Sequence, residues 1–200
     1  GGGDDGDSTS AAAVAASTLH SLAECARQEG GRAEEAEGLL RLALAIEEIG
    51  HPPAAVAATL TRLAGWACDG GRWEEAEGWY RRALALEEEE EEEALGEGRH
   101  GVAEALTRLG RCLSQQDKVE EAGGAHRRAL EIVEETKGDR SLEVTTILLD
   151  IGLCALTLGR MEEAEVLYKR ALAIESEHLG ADHPDAQATA RALELFAPSG

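Results

Sequence analysis

Two nearly identical stretches of sixteen residues constrain the fold of this chain more than any other feature. GRAEEAEGLLRLALAI begins at Gly31, and GRWEEAEGWYRRALAL begins at Gly71. Related turns follow at Asp117 and Gly159, so that the four turns are 40, 46 and 42 residues apart. A period of this length is typical of arrays of stacked helix pairs, because one pair is too small to bury its own apolar face.

Each turn is followed by the same helical skeleton of two small residues with a larger residue between them. The members are Ala36, Ala76, Ala122 and Ala164, then Leu40, Tyr80, His126 and Tyr168, then Ala43, Ala83, Ala129 and Ala171. Steps of four and three residues place these side chains on one face of a helix. The helix before each turn carries its own small residue at Ala23, Ala64, Gly110 and Gly152. Since helices approach to about 8–10 Å only where small residues lie at the crossing, the skeleton predicts packed helix pairs.

The repeat also predicts how the chain is divided. We expect a disordered Gly/Asp-rich tail at 1–12, an array over 13–196 and a short tail at 197–200. The predicted units of the array are about 13–50, 54–96, 100–138 and 141–180, followed by a capping helix at 183–196. The chain begins with GGGDDGDSTS and no methionine, which indicates a piece of a longer protein.

The charge balance excludes two classes of partner. Forty acidic residues against nineteen lysines and arginines give a formal net charge of −21. A field of that sign repels phosphate backbones and anionic lipid headgroups, so we expect neither nucleic acid nor a membrane surface as a partner. The longest apolar run near the start, at 11–16, is too short for a signal or a span, and a cytoplasmic location follows as the expectation.

The residues resemble those of a known repeat family. TLTRLA at 59–64 and AEVLYKRALAIESEHLGADHPDAQAT at 164–189 are similar to the tetratricopeptide repeat, in the longer form found in kinesin light chain and nephrocystin-3-like proteins. The resemblance covers about 13–196. It implies an all-α fold, a right-handed α-solenoid of stacked antiparallel helix pairs, which serves as a scaffold for binding proteins or peptides.

In the resembled family, ligands lie along the face formed by the first helices of the pairs. The residues expected on that groove are Thr61, Arg62, Thr107, Arg108, Arg111, Leu149 and Leu153. The three guanidinium groups suit the carboxylates of an acidic peptide, because each can form paired charge-assisted hydrogen bonds. The two leucines would receive an apolar anchor. The alternative interpretation is that the arginines only balance nearby glutamates such as Glu104.

The predicted function is therefore a protein–protein interaction scaffold rather than an enzyme. The sequence contains no phosphate-binding glycine loop, no nucleophile elbow and no His-Glu-x-x-His motif, and it predicts no cofactor. The competing hypothesis is a structural, weakly self-associating or sensor arm of a larger multidomain protein, such as a nucleotide-binding switch protein.

Three other features have a structural interpretation and a functional one. Prolines after His51 and His183 begin helices in our interpretation, and the linker histidines are expected to be structural rather than metal ligands: His51, His100 and His183. Four cysteines are expected to be reduced, small core residues: Cys25, Cys68, Cys112 and Cys154. The run Glu87–Glu93 predicts an overlong, solvated helix end, with a docking site for a basic partner as the alternative.

Overall fold

Helices joined by short turns make up the fold, in a computed structural model that describes residues 5–29, 32–94, 99–194 and 196. Within these ranges there are nine helices and no strand, which confirms the prediction of an all-α repeat fold. The helices are α1 Asp5–Gln28, α2 Ala33–Gly50, α3 Pro53–Asp69, α4 Trp73–Ala94, α5 Arg99–Gln115, α6 Val119–Lys137, α7 Leu142–Thr157, α8 Met161–His178 and α9 Pro184–Glu194.

The helices belong to two compact units, Gly1–Gly98 and Arg99–Gly200. In the first unit, α1 packs on α2 and α3 packs on α4, while α2 lies against α3. In the second unit, α5 packs on α6 and α7 on α8, α6 lies against α7, and α9 lies against α8. Each unit is thus two stacked helical hairpins, and the second unit has one further helix.

The alanines of the repeat lie at the helix crossings. All eight are fully buried: Ala36, Ala76, Ala122, Ala164, Ala43, Ala83, Ala129 and Ala171. In the second unit, glycine replaces the alanine of the first helix at the crossing and faces a ring. A Cβ placed on Gly152 would lie 2.6 Å from Tyr168 Cε2, and one on Gly110 would lie 2.5 Å from His126 Cε1. The ring therefore occupies the space that a larger residue would need.

Three of the turns within hairpins share one backbone geometry although their sequences differ. The second residue after the first helix takes a left-handed φ at Gly71, Gly159 and also at Asp117, where φ is 62°. The next amide then donates to a carbonyl five residues earlier, as in the 2.8 Å bond from Arg160 N to Ala155 O. Asp tolerates this conformation better than most residues with a side chain, so Asp117 replaces glycine without changing the turn.

Ion pairs connect the second helices of neighbouring hairpins. In the first unit, Arg72 pairs with Glu37 at 2.6 Å, and Arg41 bridges Glu37 and Glu75. The pairs of the second unit are Arg127–Glu163 and Arg170–Glu134. Several of these glutamates lie near the N-terminus of their helix, and these also interact favourably with the helix dipole.

One feature differs from the sequence prediction, and another, the overlong helix at the acidic run, agrees with it. Residues 5–12 were expected in a disordered tail, whereas α1 begins at Asp5. Aspartates near the start of a helix interact favourably with the positive end of the helix dipole, and alanine, which occupies 11–13, has the highest helix propensity. The helix therefore begins earlier in the chain than expected. Residues 1–4 and the predicted tail at 197–200 lie outside the described residues. At the acidic run, α4 continues as a helix to Ala94.

Replacing Gly152 by alanine should lower the free energy of unfolding by about 1–3 kcal/mol, because the new Cβ overlaps the ring of Tyr168. The matched control is Gly124→Ala in α6, where a Cβ meets nothing within 4 Å. That change should stabilise the protein by up to about 1 kcal/mol, since alanine favours a helix over glycine. Urea unfolding followed by circular dichroism measures both, and midpoints that shift in the same direction would contradict the packing described.

Candidate functional site

A groove between the first helices of the second unit, here called the α5–α7 groove, has a volume of about 400 Å³. Helix α5 forms one wall, α7 forms the other, and the end of α6 closes the groove. Its lining residues are Ala103, Glu104, Thr107, Arg108, Arg111, Val133, Lys137, Glu143, Thr146 and Ile147. The surface thus combines apolar side chains with groups of both charges.

Carboxylates pair with the cations of the α5–α7 groove. Arg108 Nε lies 3.0 Å from Glu104 Oε1, one helical turn away on α5. Arg111 Nε lies 2.9 Å from Asp150 Oδ2 on α7. Lys137 Nζ lies 2.7 Å from Glu143 Oε1. The groove is therefore balanced in charge.

Of the seven residues predicted for the groove, the structure brings three together. Thr107, Arg108 and Arg111 all line the α5–α7 groove. Leu149 and Leu153 lie on α7 but are not among its lining residues; Leu149 is half-buried and Leu153 is 56% exposed. The remaining two, Thr61 and Arg62, lie on α3 in the first unit.

The first unit has a groove of its own between α1 and α3, here called the Glu47 pocket, with a volume of about 550 Å³. It is lined by Ala13, Ala16, Ser17, His20, Ser21, Glu24, Cys25, Glu47, His51 and Arg62. Most of these residues recur every three or four positions along α1, while Glu47 comes from the end of α2 and Arg62 from α3. Arg62 is exposed.

Polar contacts hold the carboxylate of Glu47 at the wall of this pocket. His20 Nε2 lies 3.2 Å from Glu47 Oε1 and 3.0 Å from the hydroxyl of Thr59, and that hydroxyl can donate to the carbonyl of Ala55. Because a carboxylate only accepts hydrogen bonds, Nε2 must carry the proton. Burial is the main cause that lowers the pKa of His20; Glu47 opposes this shift and Arg62 adds to it. The imidazole is therefore neutral at pH 7.

The sequence expectations did not include Glu47, a buried charged residue. It is only 5% exposed, and it follows Ala36, Leu40 and Ala43 on the inward face of α2. The signal was present in the repeat, because glutamate also occupies the matching position sixteen residues after the turn at Glu87 and Glu175, with Val133 in the third hairpin. An acidic residue on an otherwise apolar face predicts a buried polar contact.

His126 lies beneath the ion pair of the α5–α7 groove, at the position that tyrosine holds in two other hairpins. It is 1% exposed, and its Nδ1 has no hydrogen-bond partner among the described residues. Burial is the main cause that lowers its pKa; Asp150 opposes the shift and Arg111 adds to it. The protein therefore holds His126 as a neutral ring.

The cysteines and histidines outside these sites form no cluster. Among the described residues, no three His, Cys, Asp or Glu side chains are arranged to hold a metal ion. All four cysteines are free thiols, and Cys112 and Cys154 are buried as expected. Cys25 is exposed, so the prediction that it packs in the core is wrong: it lies on the face of α1 that borders the Glu47 pocket. None of the described helices is both long and apolar enough to span a bilayer.

The comparison with protein families agrees with this architecture. The family described as tetratricopeptide repeat matches residues 55–135 and 101–177, which together span more than half of the chain. The chain therefore belongs to the tetratricopeptide repeat family. No curated protein matches it.

Solved structures with the same fold include two of the kinesin light chain type. BtubC (BKLC) from P. vanneervenii is 24% identical with a TM-score of 0.75, over 94% of this chain and 80% of that one. A putative kinesin light chain from Podosopora anserina with nearly identical TPR-like repeats is 22% identical with a TM-score of 0.73, over 90% and 86%. The apo form of RapI is 15% identical with a TM-score of 0.76, over 90% of this chain and 62% of that one. At these identities the likeness shows the fold alone.

The stability of the protein should fall as pH drops below about 6.5, because the unfolded chain binds a proton at His126 that the folded chain does not. His126→Leu, which introduces the residue found at the matching Leu40, should remove this part of the dependence. Urea midpoints of both proteins at about pH 7.5 and 5.5 measure the effect, which is on the order of 1 kcal/mol per pH unit at most. A difference between the two proteins that stays constant over this range would contradict the assignment.

Proposed function

We propose that this chain is a protein–protein interaction scaffold that binds an acidic peptide segment of a partner along its first helices. The observation that carries the proposal is the presence of Thr107, Arg108 and Arg111 in one groove. Two guanidinium groups one turn apart on a rigid helix suit carboxylates spaced along a peptide. Ile147 and Val133 in the same groove offer apolar contact.

The ion pairs within the groove are compatible with this role because they are exposed to solvent. The side chains of Arg108 and Glu104 are 47% and 51% exposed. An exposed pair contributes only about 0.2–1 kcal/mol, so a peptide carboxylate can take the place of Glu104 at little cost. Asp150 is less exposed than Glu104, at 22%, and its pair with Arg111 should exchange less readily.

Leu149 and Leu153 extend the proposed surface in the second unit, and Thr61 and Arg62 form a separate proposed contact in the first unit. Leu153 is the most exposed of the apolar candidates and would contact a hydrophobic residue of the peptide. Arg62 makes no ion pair with the described residues and would be available to a carboxylate. On this proposal the chain is not catalytic, needs no cofactor and works in the cytoplasm.

Charge reversal tests the proposal. A displayed library of random peptides selected on the wild-type chain should return sequences enriched in Asp and Glu, and the double variant Arg108→Glu with Arg111→Glu should lose them. The matched control is Arg127→Glu with Lys169→Glu, because it breaks one pair between helices and one pair four residues apart on the second-helix face. Equal binding by both double variants would contradict the proposal.

Removing the competing carboxylate should have the opposite effect. Glu104→Gln leaves Arg108 without its acidic neighbour, and the affinity for a selected acidic peptide should rise roughly 1.5- to 5-fold, the equivalent of one exposed ion pair. Fluorescence polarisation with the labelled peptide measures this change. Unchanged or weaker binding would show that Arg108 does not contact the carboxylates of the peptide.

The alternative, a structural or self-associating arm, stays a prediction. Light scattering over a concentration series tests it, since a growing particle would support self-association.

A further inference from the structure

The Glu47 pocket contains polar atoms that no contact in the described structure explains. Glu47 is 95% buried, and its Oε1 is held by His20, but its Oε2 has no hydrogen-bond partner among the described residues. Both ring nitrogens of His51, on the same wall, are also buried without a partner. A buried acceptor without a donor is unfavourable by about 1–3 kcal/mol or more, so a ligand that supplies a donor here would be bound favourably.

The charges of the pocket select a cation rather than an anion. Glu47 and Glu24 line it with two carboxylates, whereas His20 is neutral and Arg62 is exposed. A carboxylate ligand would face Glu47 across a short, partly desolvated distance, where like charges repel strongly. A cationic donor would instead meet an acceptor that is already buried and already oriented by His20 and Thr59.

The shape of the acceptor favours an ammonium over a guanidinium. Only one oxygen of Glu47 is open, and a guanidinium is bound best by two oxygens that match its fork. An ammonium is a compact charge with three donors, and besides Glu47 Oε2 the walls offer the carboxylate of Glu24 and the ring of His51. The absence of a metal-binding cluster among the described side chains argues against an ion in their place.

We propose that the Glu47 pocket binds a lysine side chain of a partner peptide, with the ammonium donating to Glu47 Oε2. The assignment rests on the proposed function only in naming a peptide as the source of the ammonium. Arg62, at the edge of the pocket, then pairs with an acidic residue close to that lysine. The preferred peptide is therefore acidic overall and carries one lysine, which the arginines alone would not select.

A small probe tests the pocket without any peptide. The probe is Nα-acetyl-lysine methylamide, and its control is the same compound with an acetylated side-chain nitrogen, which has no charge. The ring resonances of His20 and His51 in the wild-type chain should shift saturably with the first compound, with a dissociation constant on the order of millimolar for so small a ligand. The acetylated compound should bind at least about tenfold more weakly, because it lacks the charge that Glu47 recognises.

Substitutions locate the interaction at Glu47. Glu47→Gln keeps an oxygen that can accept from His20 and removes the charge. It should weaken binding of the lysine probe about tenfold. Glu48→Gln removes the same charge from the next residue, which is exposed and paired with Arg82, and should leave binding unchanged. Circular dichroism checks that each variant is folded. If Glu47→Gln does not fold, the affinities of the two probes for the wild-type chain still test the proposal.

Peptides then separate this assignment from the proposed function. An acidic peptide with one lysine should bind the wild-type chain more tightly than the same peptide with acetyl-lysine, and Glu47→Gln should abolish the difference. If the two peptides bind equally well and the lysine probe causes no saturable shift of the histidine resonances, the proposal that the Glu47 pocket binds lysine is wrong. The proposed binding of acidic peptides would then remain. A probe that binds while no acidic peptide does would support the pocket and overturn the proposed function.

Discussion

The contact between a small residue on one helix and a large one on its partner is the interaction on which the rest of the structure depends. Alanines at fixed positions let the two helices of each hairpin approach closely, and leucine, tyrosine or histidine fills the space beside them. The second and fourth hairpins both have tyrosine as the large residue, with Ala64 in one and Gly152 in the other at the small position of the first helix, and a Cβ on Gly152 would overlap Tyr168. Because the ring fills the space beside the small residue, a larger residue at that position would force the packing to shift.

Charge is distributed differently on the two faces of the chain. On the second helices, ion pairs such as Arg127–Glu163 connect neighbouring hairpins and add to their alignment, although each exposed pair contributes little to stability. On the first helices, Arg108 and Arg111 pair with carboxylates in the α5–α7 groove, and the more exposed of these pairs is Arg108–Glu104. Under the proposed function, ion pairs would stabilise the second helices and be exchanged for partner carboxylates on the first helices.

Periodicity predicted the fold well because it reports which side of a helix is buried. It placed the alanines, the hairpins and the turn at Asp117, while the family resemblance assigned Thr107, Arg108 and Arg111 to one groove. Neither shows what lies opposite each side chain, so the pair between Arg111 and Asp150 was not predicted. The exposure of Cys25 was missed for a related reason: the repeat position of a residue does not show whether another element covers its side chain.

The buried glutamates at matching positions of α2 and α8 have a consequence for how hairpins align. Glu47 and Glu175 are 5% and 2% exposed, each at the same level above its turn. Alanine and leucine surfaces alone would tolerate sliding by one helical turn, about 5.4 Å, because the small and large residues recur at nearly that interval. A slipped hairpin would carry its carboxylate into an apolar layer with no donor, which is far more unfavourable than the native burial. In the first hairpin, the native alignment brings the carboxylate of Glu47 to His20, so leucine at this position would gain apolar contact and lose that polar constraint.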